Sequence, residues 1–318
     1  MPEFAPQTAP PLLFWTPNYA PLGEALVAAG GLEAGKLETK VFPDGERYRR
    51  LATAVAGRRV VLLAGTIDEI DSLALYDLAC TATEGGAIAL SMVIPYYGYS
   101  TQERATQAGE VVTAKSRARL LSSVPLAHHG NEALLLELHT AGLMHYFEGA
   151  ITAHHLSARR LVLDIARRLA GDAPVVLGSV DTGRAKQVEG LASELGAEVA
   201  FVFKRRLDGE TTRVAAVAGA VAGKTVLIYD DMIRTGGSLI GAARAYREAG
   251  AERLYAIAIH GVMPGEAGER LRDSGLFERV VVTDSHPHAR SVEARLAGFL
   301  DVESIAPLLH RAVLRRAQ

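Results

Sequence analysis

The sequence predicts an α/β fold of two domains, each a parallel sheet flanked by helices. Three observations carry that expectation. Short apolar runs rich in Val, Ile and Leu alternate with stretches of helical period, the pattern of parallel strands joined by helical crossovers. The 318 residues suit two domains of about 150 residues each. The alternation restarts after a polar stretch near Gly149. The first domain is therefore expected over residues 1–150 and the second over 151–302, with a terminal helix, 303–318, that can return to the first.

Taken in order, Leu12 to Trp15 reads as a short strand and Leu22 to Ala29 as a helix. Glu38 to Phe42 alternates as a strand and ends at Pro43-Asp44-Gly45, a turn signal. Val60 to Leu63 is a buried strand, Asp71 to Thr83 a helix, and Ala87 to Ile94 a strand stopped by Pro95. Tyr96 to Thr113 is polar and carries little periodicity, and a loop of that length is functional or disordered. Ala114 to Ser123 is helical and Ala133 to Glu137 a strand ending in Leu138-His139. In the second half Leu156 to Leu169 is a long amphipathic helix. Val175 to Leu177, Val199 to Phe203 and Arg213 to Val217 read as strands, with Gly183 to Leu195 a helix between the first two. Leu254 to Ile259, Gly265 to Ser274 and Val280 to Val282 continue the alternation, and Ile305 to Arg316 closes it as an amphipathic helix.

Composition narrows the function classes. Hydrophobic residues make up 49% of the chain, which speaks against disorder. The net charge of −2 argues against a dedicated nucleic-acid partner. Cys80 is the single cysteine, so no intrachain disulfide forms, and a reducing cytoplasm is the simplest home. The N-terminal stretch carries Pro2, Pro6, Pro10 and Pro11 and no basic region, so it is not expected to be a signal peptide; the first ten residues read as a loose tail. No apolar run reaches the roughly 18 residues of a membrane span, and no membrane partner is expected.

The chemistry centres on Thr225 to Ala251. Val226, Leu227 and Ile228 form a buried strand, and Asp230 and Asp231 are expected to follow at its end. Thr235, Gly236, Gly237 and Ser238 come next, and then a helical pattern. Glycines let backbone N–H groups approach an anion closely. The helix N-terminus adds unpaired N–H groups and the positive end of its dipole. The loop is therefore suited to phosphate, and the acidic pair to sugar hydroxyls or a bound Mg²⁺. Strand, acidic pair, Thr-Gly-Gly-Ser and helix together resemble the phosphoribosyl-binding loop of the phosphoribosyltransferases and of the ribose-phosphate pyrophosphokinases.

Further segments resemble the pyrophosphokinase family in chain order, from about Leu12 to Leu309. Phe42 to Glu46, FPDGE, is either a plain turn or the family's ATP-site element; the resemblance implies that Phe42 stacks on adenine and that Asp44 and Glu46 accept hydrogen bonds. Val93 to Lys115 resembles a loop in which Gln102 and Arg104 hold the nucleotide, although Thr101 stands where the family commonly has arginine. A lost charge-assisted hydrogen bond is worth about 1.5–3 kcal/mol, or about one to two orders of magnitude in ATP affinity. Leu136 to Phe147 resembles the segment whose histidine, here His139, meets the metal or the phosphates. GSVDTG, Gly178 to Gly183, resembles Ser-Pro-Asp-x-Gly-Gly, with Val180 for the proline and Arg184 for the second glycine; Asp181 is then a metal or ribose-phosphate ligand. Phe203 to Glu210 resembles the root of a flexible catalytic loop, in which Lys204 and Arg206 close over the transferred group. Arg234 stands where the family has a third aspartate, and an arginine only donates.

The resemblance implies two phosphoribosyltransferase-like domains and a homo-oligomer, dimer or hexamer. The implied activity is ribose-phosphate diphosphokinase, with Mg²⁺ as cofactor and ATP and ribose 5-phosphate as substrates. Thr101 and Arg234 keep open a non-catalytic or regulatory relative. A phosphoribosyltransferase consuming the diphosphate product is a third reading, disfavoured by the ATP-like segments. His286 and His288 are expected in a loop, and Arg311, Arg315 and Arg316 on a solvated helix face.

Overall fold

The computed structural model describes residues 9–171, 173–206 and 212–317, with the backbone alone at 204–206, 212–215 and 317. All but the last two residues of the expected N-terminal tail lie outside these. Two compact units emerge, Met1–Leu156 with Ser304–Gln318, and Ser157–Glu303.

The first unit opens with β1 (Leu12–Trp15), α1 (Ala20–Ala28) and the short β2 (Glu33–Ala34). β3 (Leu37–Val41) and β4 (Arg47–Leu51) form a separate antiparallel hairpin. Then come β5 (Arg59–Leu63), α2 (Glu69–Glu84), β6 (Ala89–Ile94), α3 (Thr113–Ser122), β7 (Asn131–Leu136) and β8 (Ile151–Leu156). Six strands pair in parallel in the order β2-β1-β5-β6-β7-β8. Alternate residues Leu12, Phe14, Val60, Leu62, Leu90 and Met92 share a core with Leu75, Leu78 and Ala82 of α2. The N-cap of α2 is Asp68, whose carboxylate accepts from the Asp71 N–H at 2.8 Å.

The second unit runs α4 (Arg159–Ala170), β9 (Val175–Ser179), α5 (Ala185–Leu195), β10 (Glu198–Arg206), β11 (Thr212–Ala218), β12 (Thr225–Ile233) and α6 (Gly237–Glu248). β13 (Arg253–Gly261), α7 (Ala267–Asp273), β14 (Arg279–Thr283), α8 (His288–Arg295) and β15 (Leu300–Glu303) complete it. The sheet order is β11-β10-β9-β12-β13-β14-β15, parallel except for the β10–β11 pair. The chain leaves β9 towards β10 and returns on the other side as β12. The order therefore reverses between β9 and β12, which is where open α/β sheets leave a crevice beyond their C-terminal strand ends. The last helix, α9 (Ala306–Ala317), belongs to the first unit.

Four expectations are corrected. The helix read from Leu156 is a strand, β8, up to that residue, and α4 starts only at Arg159. β8 is an edge strand carrying His154 and His155, so its alternation is weak in sequence although it bonds to β7 along its full length. His286 and His288 are not loop residues in the open sense: His286 is buried and His288 starts α8. Arg316 is not merely solvated, because it donates to Glu132 at 3.1 Å. Asp230 and Asp231 lie inside β12 rather than after it, since pairing with β13 continues through Ile233. Among the described residues no helix is long and apolar enough to cross a membrane.

Candidate functional site

The crevice between β9 and β12 in the second unit collects the acidic pair, the glycine turn and the Asp181 turn. Asp231 is 2% exposed and is held by Arg184, whose Nη2 lies 2.6 Å from Asp231 Oδ2. Arg184 Nε lies 3.9 Å from Asp230 Oδ1. The Asp230 carboxylate also accepts from the Asp231 N–H at 2.9 Å. Burial pushes the Asp230 carboxyl well above the usual carboxylate range; the Asp231 charge adds to this and Arg184 opposes it. The pair is held under electrostatic load that the Arg184 guanidinium offsets in part.

Arg184 reaches this place because of the turn before α5. Asp181 accepts from the Gly183 N–H at 2.9 Å, and Ser179 Oγ donates to the Asp181 carbonyl at 2.6 Å. The chain then makes a short 3₁₀ turn, Thr182–Arg184, and Arg184 stands directly before α5. Gln187 on α5 donates to the Tyr229 hydroxyl at 3.1 Å, tying that helix to β12.

Beyond β12 the glycine turn leads into α6. Gly236 adopts φ 78° as the residue before the helix, a conformation that favours glycine, and a Cβ there would meet Leu271 at 3.1 Å. Gly237 has ordinary room. The Gly236 carbonyl accepts the Ile240 N–H at 2.9 Å, so the helix begins at once. The N–H groups of the first turn of α6, Gly237 and Ser238 among them, have no earlier helical carbonyl to bond, which is the condition for holding an anion. Arg270 donates to the Thr235 carbonyl at 3.1 Å and fixes the turn from α7.

Lys204 and Arg206 lie at the C-terminal end of β10, which pairs with β9. Their side chains, and the expected flexible loop at 207–211, are outside the described residues.

The ATP-like segments belong to the first unit. Phe42 to Glu46 caps the β3–β4 hairpin: Phe42 N–H bonds the Glu46 carbonyl at 2.8 Å, and Asp44 accepts from the Glu46 N–H at 3.1 Å. Lys40 Nζ lies 4.7 Å from the Phe42 ring centroid. The turn is exposed. Gln102 and Arg104 sit in the long loop after β6, and the loop is fastened by side chains. The Tyr97 hydroxyl donates to the Ala114 carbonyl at 2.7 Å, Tyr146 to the Glu103 carbonyl at 2.6 Å, and Thr113 to Gln102 Oε1 at 2.6 Å. His139 lies just past β7, before a 3₁₀ turn at Ala141–Tyr146, and is half-buried. The adjacent Leu138 N–H donates to His155 Nε2 at 3.2 Å.

Sequence reasoning noted Arg184 only as a replacement for glycine and assigned it no role. Its place after a strand–Asp–turn and ahead of a helix is visible in the sequence, but its contact with Asp231 comes from the sheet topology.

Comparison with known proteins finds one family along the chain. Residues 12–124 match the family model for the N-terminal domain of ribose phosphate pyrophosphokinase, and residues 183–316 that of the phosphoribosyl synthetase-associated domain. The chain is 34% identical over 299 residues to the ribose-phosphate pyrophosphokinase of Rhodopirellula baltica, covering 92% of this chain and 91% of that one. It is 34% identical over 269 residues to ribose-phosphate pyrophosphokinase 2 of Enterococcus faecalis, covering 83% and 81%. Among solved structures, phosphoribosylpyrophosphate synthetase from Mycobacterium smegmatis matches with a TM-score of 0.85 at 27% identity, covering 96% of this chain and 99% of that one.

Proposed function

The chain belongs to the ribose-phosphate pyrophosphokinase family, and from that premise we propose that it makes 5-phosphoribosyl 1-diphosphate from ribose 5-phosphate and ATP. Its α/β fold is of the phosphoribosyltransferase type. The anomeric O1 of ribose 5-phosphate attacks the β-phosphorus of ATP. The bond from that phosphorus to the bridging oxygen of AMP breaks, AMP leaves, and the O1 proton is lost. Protein groups position the reactants and offset charge rather than enter covalent chemistry.

The observation that carries the reading is the switch point between β9 and β12, where an acidic pair, Asp231 buried and Asp230 half-buried, stands a few residues ahead of a glycine turn and a helix N-terminus. Asp230 and Asp231 accept from the ribose hydroxyls, and Thr235, Gly236, Gly237 and Ser238 hold the 5-phosphate. Phe42, Asp44, Glu46, Gln102 and Arg104 hold ATP. Lys204 and Arg206 neutralise charge on the transferred diphosphoryl group. Among the described residues no group of three or more His, Cys, Asp and Glu forms a cation cage. Mg²⁺ carried in on nucleotide phosphates needs only one or two protein ligands; His139 would meet the ion of MgATP or the phosphates, and Asp181 a second ion or the ribose-phosphate side. When bound, the ion neutralises charge across the phosphates.

The enzyme works in the cytoplasm as a homo-oligomer, dimer or hexamer. Exposed Val41, Tyr48, Ile70 and Leu73, clustered on the hairpin and α2, support an assembly surface. Light scattering on the purified chain reads the assembly directly; a monomer at micromolar concentration overturns that part.

Purified protein with ribose 5-phosphate and MgATP is expected to release AMP with one diphosphorylated sugar formed per AMP. A second reading, binding without turnover, is favoured by Thr101 and Arg234. No AMP above background from folded protein selects that reading and removes the first.

A further inference from the structure

We propose that Arg184 is the fixed cation of the sugar site: it holds Asp231, keeps divalent metal ions off the Asp230–Asp231 pair, and lets the loop take a sugar phosphate through its hydroxyls with no metal bridge. The inference rests on the reading of this loop as the ribose 5-phosphate site.

The geometry makes Arg184 a competitor for a metal. Two adjacent carboxylates, with side chains 17% and 3% exposed, are the donor pair a divalent ion seeks. Bridging them requires metal–oxygen distances of about 2.0–2.6 Å. The guanidinium, itself 14% exposed, already touches Asp231 at 2.6 Å and stands against Asp230 at 3.9 Å. It occupies one oxygen of Asp231 and sets a positive charge beside both acids, which repels an incoming cation.

The backbone beneath Arg184 is fixed as well. The Asp181–Gly183 bond at 2.9 Å and the Ser179–Asp181 bond at 2.6 Å pin the turn, and α5 follows immediately. The side chain therefore has a short, anchored path to the acids.

Donor and acceptor chemistry then selects the ligand. An ionised carboxylate only accepts, a protonated one also donates, guanidinium only donates, and a hydroxyl does both. A vicinal diol can give its protons to the acids while its oxygens accept from the arginine. A metal ion can use only the acids.

Mn²⁺ titration followed by electron paramagnetic resonance tests this without any sugar. Wild type and Asp231→Asn are expected to bind the same amount of Mn²⁺. Arg184→Gly gains a further Mn²⁺ site, and Asp231→Asn in the same chain removes it. Arg184→Gln, which keeps bulk, serves where the glycine variant does not fold. Calorimetry with ribose 5-phosphate supplies the second arm. In chelator, wild type binds with a Kd that Mg²⁺ changes by less than about twofold. Arg184→Gly binds at least about tenfold more weakly in chelator and recovers with Mg²⁺. A wild-type Mn²⁺ site that Asp231→Asn abolishes overturns the proposal. Tighter sugar-phosphate binding by Arg184→Gly in chelator also overturns it, since Arg184 would then be a plug. Ribose 5-phosphate that binds wild type under neither condition overturns the assignment of the loop instead, and the Mn²⁺ arm still decides the role of Arg184.

Discussion

Asp230, Asp231 and Arg184 form one electrostatic unit, and each is expected to answer differently to substitution. Breaking a buried ion pair from one side costs about 3–5 kcal/mol, because the remaining charge is stranded. Asp231→Asn removes the shorter of the two Arg184–carboxylate contacts and leaves Asp230 at 3.9 Å, so urea unfolding should show a loss of about 3 kcal/mol, the lower end of that range. Asp230 behaves in the opposite sense. Its folded value lies above the ordinary Asp value of 3.8, so the native state favours its protonated form. The stability it contributes is full below that ordinary value and is lost as pH rises through the folded one. Asp230→Asn should therefore match wild type near about pH 4 and become the more stable of the two at alkaline pH. Urea midpoints measured for both chains across that range check the sign; parallel curves would mean that Arg184 fully compensates Asp230. Arg234 is exposed beside the turn; with the loop read as the proposed sugar site, it places a donor where that reading calls for an acceptor. Arg234→Asp is expected to raise the rate of AMP formation, and an unchanged or lower rate counts against this account of the position.

Among the elements, those with a strong apolar core were legible and those held by edges were not. β5, β6, β12, β13 and β14 announce themselves as Val, Ile and Leu runs because both their faces are covered. β4, read as Arg-Tyr-Arg-Arg-Leu, carries almost no apolar signal; it is defined by pairing with β3 and by contacts such as Arg50 to Glu38 at 3.2 Å. β2, β8 and β15 are outer or edge strands whose evidence is likewise a neighbour distant in sequence. The glycine turn and acidic pair could be read because they are local in the chain. The Arg184–Asp231 contact joins residues 47 apart through the topology of the sheet, and no local pattern encodes it. The Thr283–His288 segment shows the same limit. Thr283, Ser285 and His260 form a buried hydrogen-bond network at the ends of β13 and β14, with His260 Nδ1 2.9 Å from Ser285 Oγ. His286 packs beside it, and burial, reinforced by the His260 and His288 charges, lowers it to about 4. A histidine lowered on folding contributes stability that is present above its ordinary value of 6.5 and is lost as pH falls towards 4. That difference is worth up to about 3 kcal/mol. His286→Gln should flatten the acid limb of the stability profile by a large part of that amount, as read by thermal unfolding between those limits.

At the scale of the whole molecule, two cores set how binding energy spreads. Val226, Ile228, Leu254, Ala256 and Val282 anchor the second unit, and Leu12, Phe14, Leu62, Leu90 and Met92 the first. A ligand that binds only the native state adds about 2.7 kcal/mol of stability at one hundred times its Kd. Ribose 5-phosphate is assigned to residues of the second unit alone, so its stabilisation should enter through that core. Native-state hydrogen exchange separates the cases. With saturating sugar phosphate, amides of β12 and β13 such as Leu227 and Ile257 should gain up to about 2.7 kcal/mol in opening free energy. Leu62 of β5 and Leu134 of β7 should stay within a few tenths of a kcal/mol of their unliganded values. An equal gain in both sets means that the units open as a single cooperative block. A gain confined to β5 and β7 removes the sugar phosphate from the Asp230 site altogether, because a ligand held there cannot stabilise the other unit's core while leaving its own untouched.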